Sequence, residues 1–491
     1  MNHSKKAIVI GAGIAGIAAA IRLAHKGYAV EVFEQQPAPG GKLNESKEGP
    51  FRFDKGPSLF TMPHLDDELF SLTGRNPRNY FHYRRLESSG NYFFPDGTTF
   101  TAPANPEEFA KEWESTIGES QKNVQKYFKK AKTLYDITHH VFLEKSLHKI
   151  NTYLSGSTLK SIARLPQIDA LRTMDKANSQ TFSQEKSVQF FNRYATYNGS
   201  SPYLAPATLN VISHIEHDLG AFFPIKGMHS IIEALMKLAQ ELGVKFNFNA
   251  FADEILVREG KAVGVSVKNT EHLADVVVSN MDVVPTYRRL LPKQRPPKKI
   301  LAQERSSSAM IFYWGIKGNF PQLDLHNFFF SADYKAEFKA LFEDKEVYDD
   351  PTIYLFISKK EVPGDAPDDC ENWFVMINAP HRVKQNWQKL KAQVRKSLIK
   401  KLSAALDIDN LEALILTEDI LDPVGIETQT SSYLGALYGN ASNNKMAAFL
   451  RHPNFSRKIK NLYFVGGSVH PGGGIPLCLL SAKIAVEQCL D

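Results

Sequence analysis

Apolar residues first gather at Ala7–Ile10, a short run of strand type, then recur at Ile14, Ile17, Ala18, Ile21 and Leu23 with the spacing of a helix, and gather again at Ala29–Phe33. Gly11-Ala12-Gly13-Ile14-Ala15-Gly16 separates the first run from the helix and Gly27 closes it, so the pattern predicts strand, tight turn, helix, strand. The same signature returns near the other end of the chain. Leu462–Val465 is an apolar run, Gly466–Gly474 is glycine-rich, and Cys478–Glu487 reads as a helix whose N-terminus begins at Ile475-Pro476, with Pro476 suited to a first turn.

Between these units the periodicity changes character. Phe81–Phe100 alternates like a β-meander turning at Asp96-Gly97, and from Pro106 to about Arg193 the pattern is mainly helical, opened by the cap-like Asn105. A helix follows at Ser230–Leu242, then strands at Val244–Asn249 and Ala252–Arg258 and a hairpin at Glu259-Gly260-Lys261. Val276–Ser279, ending in the polar Asn280, has the character of a buried parallel strand returning to the first sheet. From Ser308 to Asp419, strands (Met310–Trp314, Thr352–Ser358, Trp373–Ala379) precede a long helix at Lys384–Ala405. The predicted class is α/β plus α+β.

With 491 residues, 43% of them hydrophobic and 23% charged, the chain can bury a large core in two or three domains. No run approaches the roughly 18 to 20 apolar residues that span a bilayer, and Met1–Lys6 is too short and polar for a secretory signal. The expectation is a cytoplasmic protein. Cys370, Cys478 and Cys489 have neither metal-binding nor redox spacing, and no metal site is expected.

Charge changes the picture in one place. Residues 121–176 hold eleven Lys or Arg against four Asp or Glu, a local net charge of +7 in a chain whose total is +6. Val124, Tyr127, Phe128, Ala131, Leu134, Tyr135, Thr138, Val141 and Phe142 mark one apolar face there, and Leu154, Leu159, Ile162, Leu165, Ile168 and Leu171 continue a second basic, amphipathic stretch. By composition this is a helical region that lies on an anionic membrane surface; the competing reading is a lysine-coated cap whose apolar face is core. No nucleic-acid partner is expected.

The candidate chemistry is a dinucleotide site. Gly11 permits the turn, Gly13 lets backbone approach a pyrophosphate, Gly16 lets helix pack on strand, and the helix N-terminus faces the phosphates. Glu34, at the tip of the second strand, is placed to accept hydrogen bonds from ribose hydroxyls. Two further backbone-rich turns, Gly40-Gly41-Lys42-Leu43 and Gly56-Pro57-Ser58-Leu59, follow closely.

Taken together, the fingerprint, Gly40-Gly41-Lys42, the Phe53-Asp54-x-Gly-Pro-Ser box, Asn280-Met281-Asp282 and the terminal motif resemble the FAD-dependent carotenoid desaturases, relatives of phytoene desaturase within the amine-oxidase-like flavoproteins. Phe312-Tyr313-Trp314-Gly315 and the Gly466–Pro476 loop look most like the 1-hydroxycarotenoid 3,4-desaturase branch. The expected organisation is a discontinuous, amine-oxidase-like Rossmann FAD-binding domain (1–80, 215–305 and 420–491), an α+β substrate domain (81–105 and 306–419) and a helical region (106–214), whose basic stretch 121–176 is the expected peripheral contact with the inner face of the membrane.

The resemblance implies that Gly11, Ala12, Gly13, Ile14, Ala15, Gly16, Glu34 and Gln35 hold the ADP half of FAD. Gly41, Lys42, Leu43 and Gly56, Pro57, Ser58, Leu59 would then line the route to the flavin, and Ala252 and Met281 are further cofactor-binding candidates. Gly467, Ser468, Gly474, Ile475 and Pro476 would cover the ribityl chain and pyrimidine edge. The chain departs from the family in Lys42, where arginine is usual and the planar fork is lost, and in Lys226-Gly227, where a glycine pair is usual.

The implied reaction removes two hydrogens beside a polyene. The lost proton is acidic without a dedicated base, and His470 is the one acid-base candidate. A water-insoluble substrate about 30 Å long needs an apolar tunnel, for which Tyr194, Tyr197, Tyr203, Phe222, Phe223, Phe328, Phe329 and Phe330 offer wall material. An amine oxidase, a carotenoid isomerase, a phytoene-type desaturase and a non-catalytic prenyl-protein binder remain as alternatives.

Overall fold

The computed structural model describes residues 5–153, 164–444 and 451–489. Its nucleotide-type sheet has five parallel strands in the order Lys245–Asn247, Ala29–Phe33, Lys6–Ile10, Val276–Ser279, Leu462–Phe464. Three widely separated parts of the chain therefore share one sheet. Ala7, Val9, Val32, Val277 and Val278 are almost fully buried, as continuous apolar runs in a parallel sheet covered on both faces must be. The helix Ile14–His25 packs against both the helix Ser230–Glu241 and the terminal helix Ile475–Gln488.

A seven-stranded mixed sheet forms the second layer, in the order Ile415–Leu421, Ser308–Lys317, Cys370–Ala379, Ile353–Ile357, His326–Phe329, Ser88–Phe93, Thr99–Pro103. One face, with Phe312, Trp314, Trp373 and Val375, packs on the helix Trp387–Leu406. The other face, with Ile311, Tyr354 and Met376, looks toward the nucleotide-type sheet and lines the cavity described below. The sheet thus has one face for stability and one for the site, as the two-residue alternation of side chains allows.

The meander predicted over Phe81–Phe100 is split between two sheets. Ser88–Phe93 and Thr99–Pro103 do form a hairpin, whereas Tyr83–Arg85 pairs with Ala221–Pro224 in a separate three-stranded sheet with Phe60–Thr61. Local alternation specifies a strand without specifying its neighbour.

The helical cap opens at Pro106–Ile117, where Asn105 Oδ1 accepts from the amides of Glu107 at 2.9 Å and Glu108 at 3.2 Å. It continues through the long helix Gln121–Thr138, capped by Ser120. On that helix Val124, Tyr127, Phe128, Ala131, Leu134 and Ile137 are buried, the first three against Phe109, Trp113, Phe190 and Phe191. The apolar face is core, and Lys122, Lys126, Lys129 and Lys132 stand exposed on the other side. This corrects the composition-based picture of a helix with its apolar face in lipid, because protein already covers that face. Leu154, Leu159 and Ile162 of the second stretch lie outside the described residues. Ile168 is buried and Leu171 is 78% exposed. Among the described residues no helix is long and apolar enough to cross a membrane.

Candidate active site

The first strand ends at Ile10 and the chain turns through Gly11-Ala12-Gly13 into the helix Ile14–His25. A Cβ on Gly16 would lie 2.0 Å from Gly11 O, so no other residue allows this helix to sit so close to the turn. Glu34 is buried, and its carboxylate accepts from Ala12 N–H at 2.6 Å and Gln36 N–H at 2.8 Å. Burial raises its pKa. The acid expected only to meet a ribose therefore also fixes the loop, and each oxygen keeps a further lone pair for an outside donor.

The next two turns stack on the first. Gly40 N–H donates to Ala12 O at 2.9 Å and a Cβ on Gly41 would stand 3.4 Å from Gly13 Cα. Lys42 Nζ donates to Leu437 O at 2.6 Å, and burial lowers its pKa. Gly56, at φ +130°, packs so tightly on this turn that a Cβ would fall 1.9 Å from Lys42 O. Asp54, just before it, accepts from the Met228 and His229 amides at 2.9 and 3.0 Å and from Arg52 at 2.8 Å, tying the box to the loop that precedes the helix Ser230–Glu241.

Opposite them lies the terminal loop. Asn280 stands between the two glycine turns: its Nδ2 is 3.4 Å from Gly11 O, and a Cβ on Gly466 would meet its Oδ1 at 2.6 Å. Ser468 Oγ accepts from Val283 N–H at 3.0 Å. The terminal helix then begins after Gly474 with Pro476 in its first turn, no side-chain cap and no acidic residue there. The helix Ile14–His25 likewise starts without a side-chain cap or a first-turn acid. Two helix N-termini with unfilled N–H groups open on one space, which suits a ligand carrying negative charge and hydrogen-bond acceptors.

That space is a cavity of about 820 Å³, within the range of ligand sites. It is lined by Gly11, Gly13, Ile14, Ala15, Glu34 and Gln35; by Gly41, Lys42, Leu43 and Gly56–Leu59; by Ala252 and Met281; and by Gly467, Ser468, Gly474, Ile475 and Pro476. Ala12 and Gly16 do not line it and act from behind, through the Glu34 bond and the helix contact. From these loops the same cavity continues between cap residues such as Phe142, Ile168 and Ile212 and sheet residues such as Ile311, Phe328 and Met376.

Of the expected aromatic wall, Tyr197, Phe328 and Phe330 line the cavity. Tyr194, Tyr203, Phe222, Phe223 and Phe329 are instead packed into neighbouring clusters, Phe329 because alternation turns it to the opposite face of its strand. His470 lines the cavity, but its Nε2 is 2.8 Å from Lys145 O. A carbonyl only accepts, so Nε2 carries the proton and the ring anchors the terminal loop to the cap; burial pushes its pKa down to about 3.

The polar residues along the apolar part were not identified from sequence. Arg193 and Glu216 form an ion pair at 2.7 Å with side chains 4% and 2% exposed, and His326 and Tyr354 face them from the sheet side of the cavity. The one available signal was a charge, Arg193, inside the aromatic run Phe190 to Tyr197.

A family profile described as flavin containing amine oxidoreductase matches residues 14–490. The chain belongs to the flavin-containing amine oxidoreductase family. It is an FAD-dependent oxidoreductase, and the uncapped helix ends and stacked glycine turns fit that group. Among curated members, the 1-hydroxycarotenoid 3,4-desaturase of Flavobacterium sp. is 54% identical over 483 residues, 98% of each chain. The 4,4'-diapolycopene oxygenase of Methylomonas sp. is 34% identical over 492 residues, 99% of this chain and 98% of that one. Cyclohexylamine oxidase from Brevibacterium oxydans shares the fold at a TM-score of 0.61 and 15% identity, covering 99% of each chain.

Proposed function

We propose that this chain desaturates a carotenoid, taking two hydrogens from adjacent carbons, and that the substrate carries a hydroxyl at C1 and gains its double bond between C3 and C4. The observation that carries the reading is one cavity running from four backbone loops into an apolar channel, in a chain 54% identical along 98% of its length to a protein named for that reaction. Bound FAD supplies the two-electron acceptor.

The residues of the chain hold, orient and exclude water. Gly11, Gly13, Ile14 and Ala15, with Glu34 and Gln35, take the ADP half; Gly41–Leu43 and Gly56–Leu59 line the way to the ring. Gly467, Ser468 and Gly474–Pro476 would take the ribityl chain and the pyrimidine edge, and Ala252 and Met281 complete the lining of the cofactor end. The free N–H groups opening the terminal helix favour negative charge at that edge. His470 is a loop anchor in this scheme, and no side chain is assigned as base.

Access is from lipid. Phe142, Ile168 and Ala170 line the cavity on the cap side, Leu171 beside them is exposed, and the exposed lysines of the cap attract an anionic surface. The protein then works peripherally on the inner face of the membrane. The test is expression in bacteria that accumulate a 1-hydroxylated carotenoid. A product lighter by two hydrogens with a longer-wavelength absorption maximum supports the reading; a product that has gained oxygen, an isomer of unchanged mass, or no change sinks it.

A further inference from the structure

The hydrocarbon channel contains a patch of polarity that a plain polyene does not need. Arg193 Nη2 donates to Glu216 Oε1 at 2.7 Å and to Tyr92 Oη at 2.6 Å, and Tyr197 donates its hydroxyl to the other Glu216 oxygen. On the seven-stranded sheet close by, His326 Nδ1 is 2.8 Å from Tyr354 Oη, which is 2.6 Å from Ser58 Oγ. His326 is 3% exposed, and its Nε2 has no hydrogen-bond partner among the described residues; Arg193 Nε is in the same condition. Arg193, Tyr197, Glu216, His326, Tyr354 and Ser58 all line the one cavity.

Burying an ion pair and leaving a ring nitrogen unpaired both cost free energy. A channel selected only to hold hydrocarbon is better served by apolar side chains. We propose that this patch receives the hydroxyl end of the carotenoid, with His326 Nε2 making the direct hydrogen bond, and so sets which carbons lie at the reacting position.

Chemistry fixes where such a group must be. In a substrate hydroxylated at C1 and desaturated between C3 and C4, the oxygen is only roughly 4 Å from C3 at ordinary bond lengths. The hydroxyl site must therefore adjoin the ring of the cofactor. His326 meets this requirement, being two hydrogen bonds from Ser58 in the Gly56–Leu59 turn that lines the way to the ring. Burial lowers the His326 pKa to about 4, so at neutral pH the ring is uncharged and offers one position to a hydroxyl, which both donates and accepts. A site built to bond a hydroxyl discriminates strongly against an analogue lacking it, because its own polar group is then left unpaired.

This inference rests on the reading of the chain as a 1-hydroxycarotenoid desaturase, and the test separates the two. Purified holoenzyme is assayed in liposomes with the hydroxylated carotenoid and with the same carotenoid lacking the hydroxyl. Wild type is expected to prefer the hydroxylated form by about a hundredfold or more in kcat/KM. His326→Phe should lose most of that preference, falling far more on the hydroxylated substrate than on its analogue, while the absorption spectrum of bound FAD is kept. Tyr354→Phe, which only loosens the imidazole, should lower the preference about tenfold and decides the matter if the histidine variant does not fold. Equal preference in wild type, or equal losses on both substrates in Tyr354→Phe, overturns the inference and leaves the desaturase reading standing. No turnover of either carotenoid by wild type overturns both.

Discussion

The two ends of the cavity are built from different material. At the nucleotide end the contacts are main chain: glycine turns stacked on one another, two helix N-termini without side-chain caps, and a single acid, Glu34, that holds a loop amide. At the hydrocarbon end they are side chains drawn from the cap and from one face of the seven-stranded sheet. The first end tolerates almost no added volume and the second is filled by volume. A main-chain site is fixed by steric exclusion, whereas a side-chain site is fixed by packing, and the two should fail in different ways.

The largest effect should come from adding atoms at the nucleotide end. Gly16→Val places branched carbon where Gly11 O already lies 2.0 Å from a bare Cβ, and backbone cannot move aside as a side chain can. The expected outcome is protein that is insoluble or retains less than a tenth of the wild-type FAD, read as flavin absorbance per mole of chain. Near-normal FAD content would show that the turn is not sterically fixed.

Removing atoms from the cap core behind the other end should cost less. Trp113 is fully buried in the cap, its Nε1 donating to Ser187 Oγ at 2.8 Å. Trp113→Ala should destabilise by about 3–5 kcal/mol, measured by urea denaturation, while the folded fraction still binds FAD. Loss of FAD in proportion to that of Gly16→Val would erase the contrast between the two ends.

Next comes a charge. Burial opposes ionisation of Glu216, but Arg193 holds its pKa below the ordinary value of 4.5. A carboxylate with a depressed folded pKa adds stability above its unfolded pKa and loses it as pH falls through the folded one. Glu216→Gln should therefore cost about 3 kcal/mol at pH 7, the low end for a broken buried pair because the amide oxygen still accepts from Arg193, and the gap in Tm between variant and wild type should narrow on acidification below about 4.5. A gap independent of pH would show that Glu216 contributes as a shape and not as a charge.

This contrast also explains what was legible in the sequence. Gly11, Gly13 and Gly16 could be read from their spacing alone; main-chain geometry favours glycine at Gly11, at φ +94°, and at Gly16, where a Cβ would meet Gly11 O at 2.0 Å, whereas at Gly13 it is the Asn280 side chain that a Cβ would meet, at 2.9 Å. The parallel strand at Val276–Ser279 could be read because a strand covered on both faces must be continuously apolar. Arg193, Glu216, His326 and Tyr354 could not: Arg193 and Glu216 are 23 residues apart and His326 and Tyr354 are 28 apart, neither a helical nor a strand repeat, and Tyr354 reaches Ser58 from a distant segment, so contacts of that kind leave no period. Asn280 was visible as the end of a strand, but its place between Gly11 and Gly466 appears only when both turns are in position. The basic helix was misleading for a related reason, since an amphipathic pattern defines an apolar face without naming what covers it.

The smallest effect on the fold should come from the outer face of that helix. Lys122, Lys126, Lys129 and Lys132 are exposed, and of these only Lys132 has an ion pair at 2.9 Å, with Asp136, among the described residues. Changing all four to Glu should alter stability by less than about 1 kcal/mol, because exposed charges in water interact weakly. Each lysine near an anionic bilayer is worth about 1 kcal/mol, so binding to anionic liposomes at low salt should fall at least about tenfold, and the difference should shrink as salt is raised. Turnover of substrate in detergent should be unchanged, since the buried face that lines the cap is untouched. Unaltered liposome binding would move the membrane contact away from this helix and leave Leu171 and its neighbours as the surface to test.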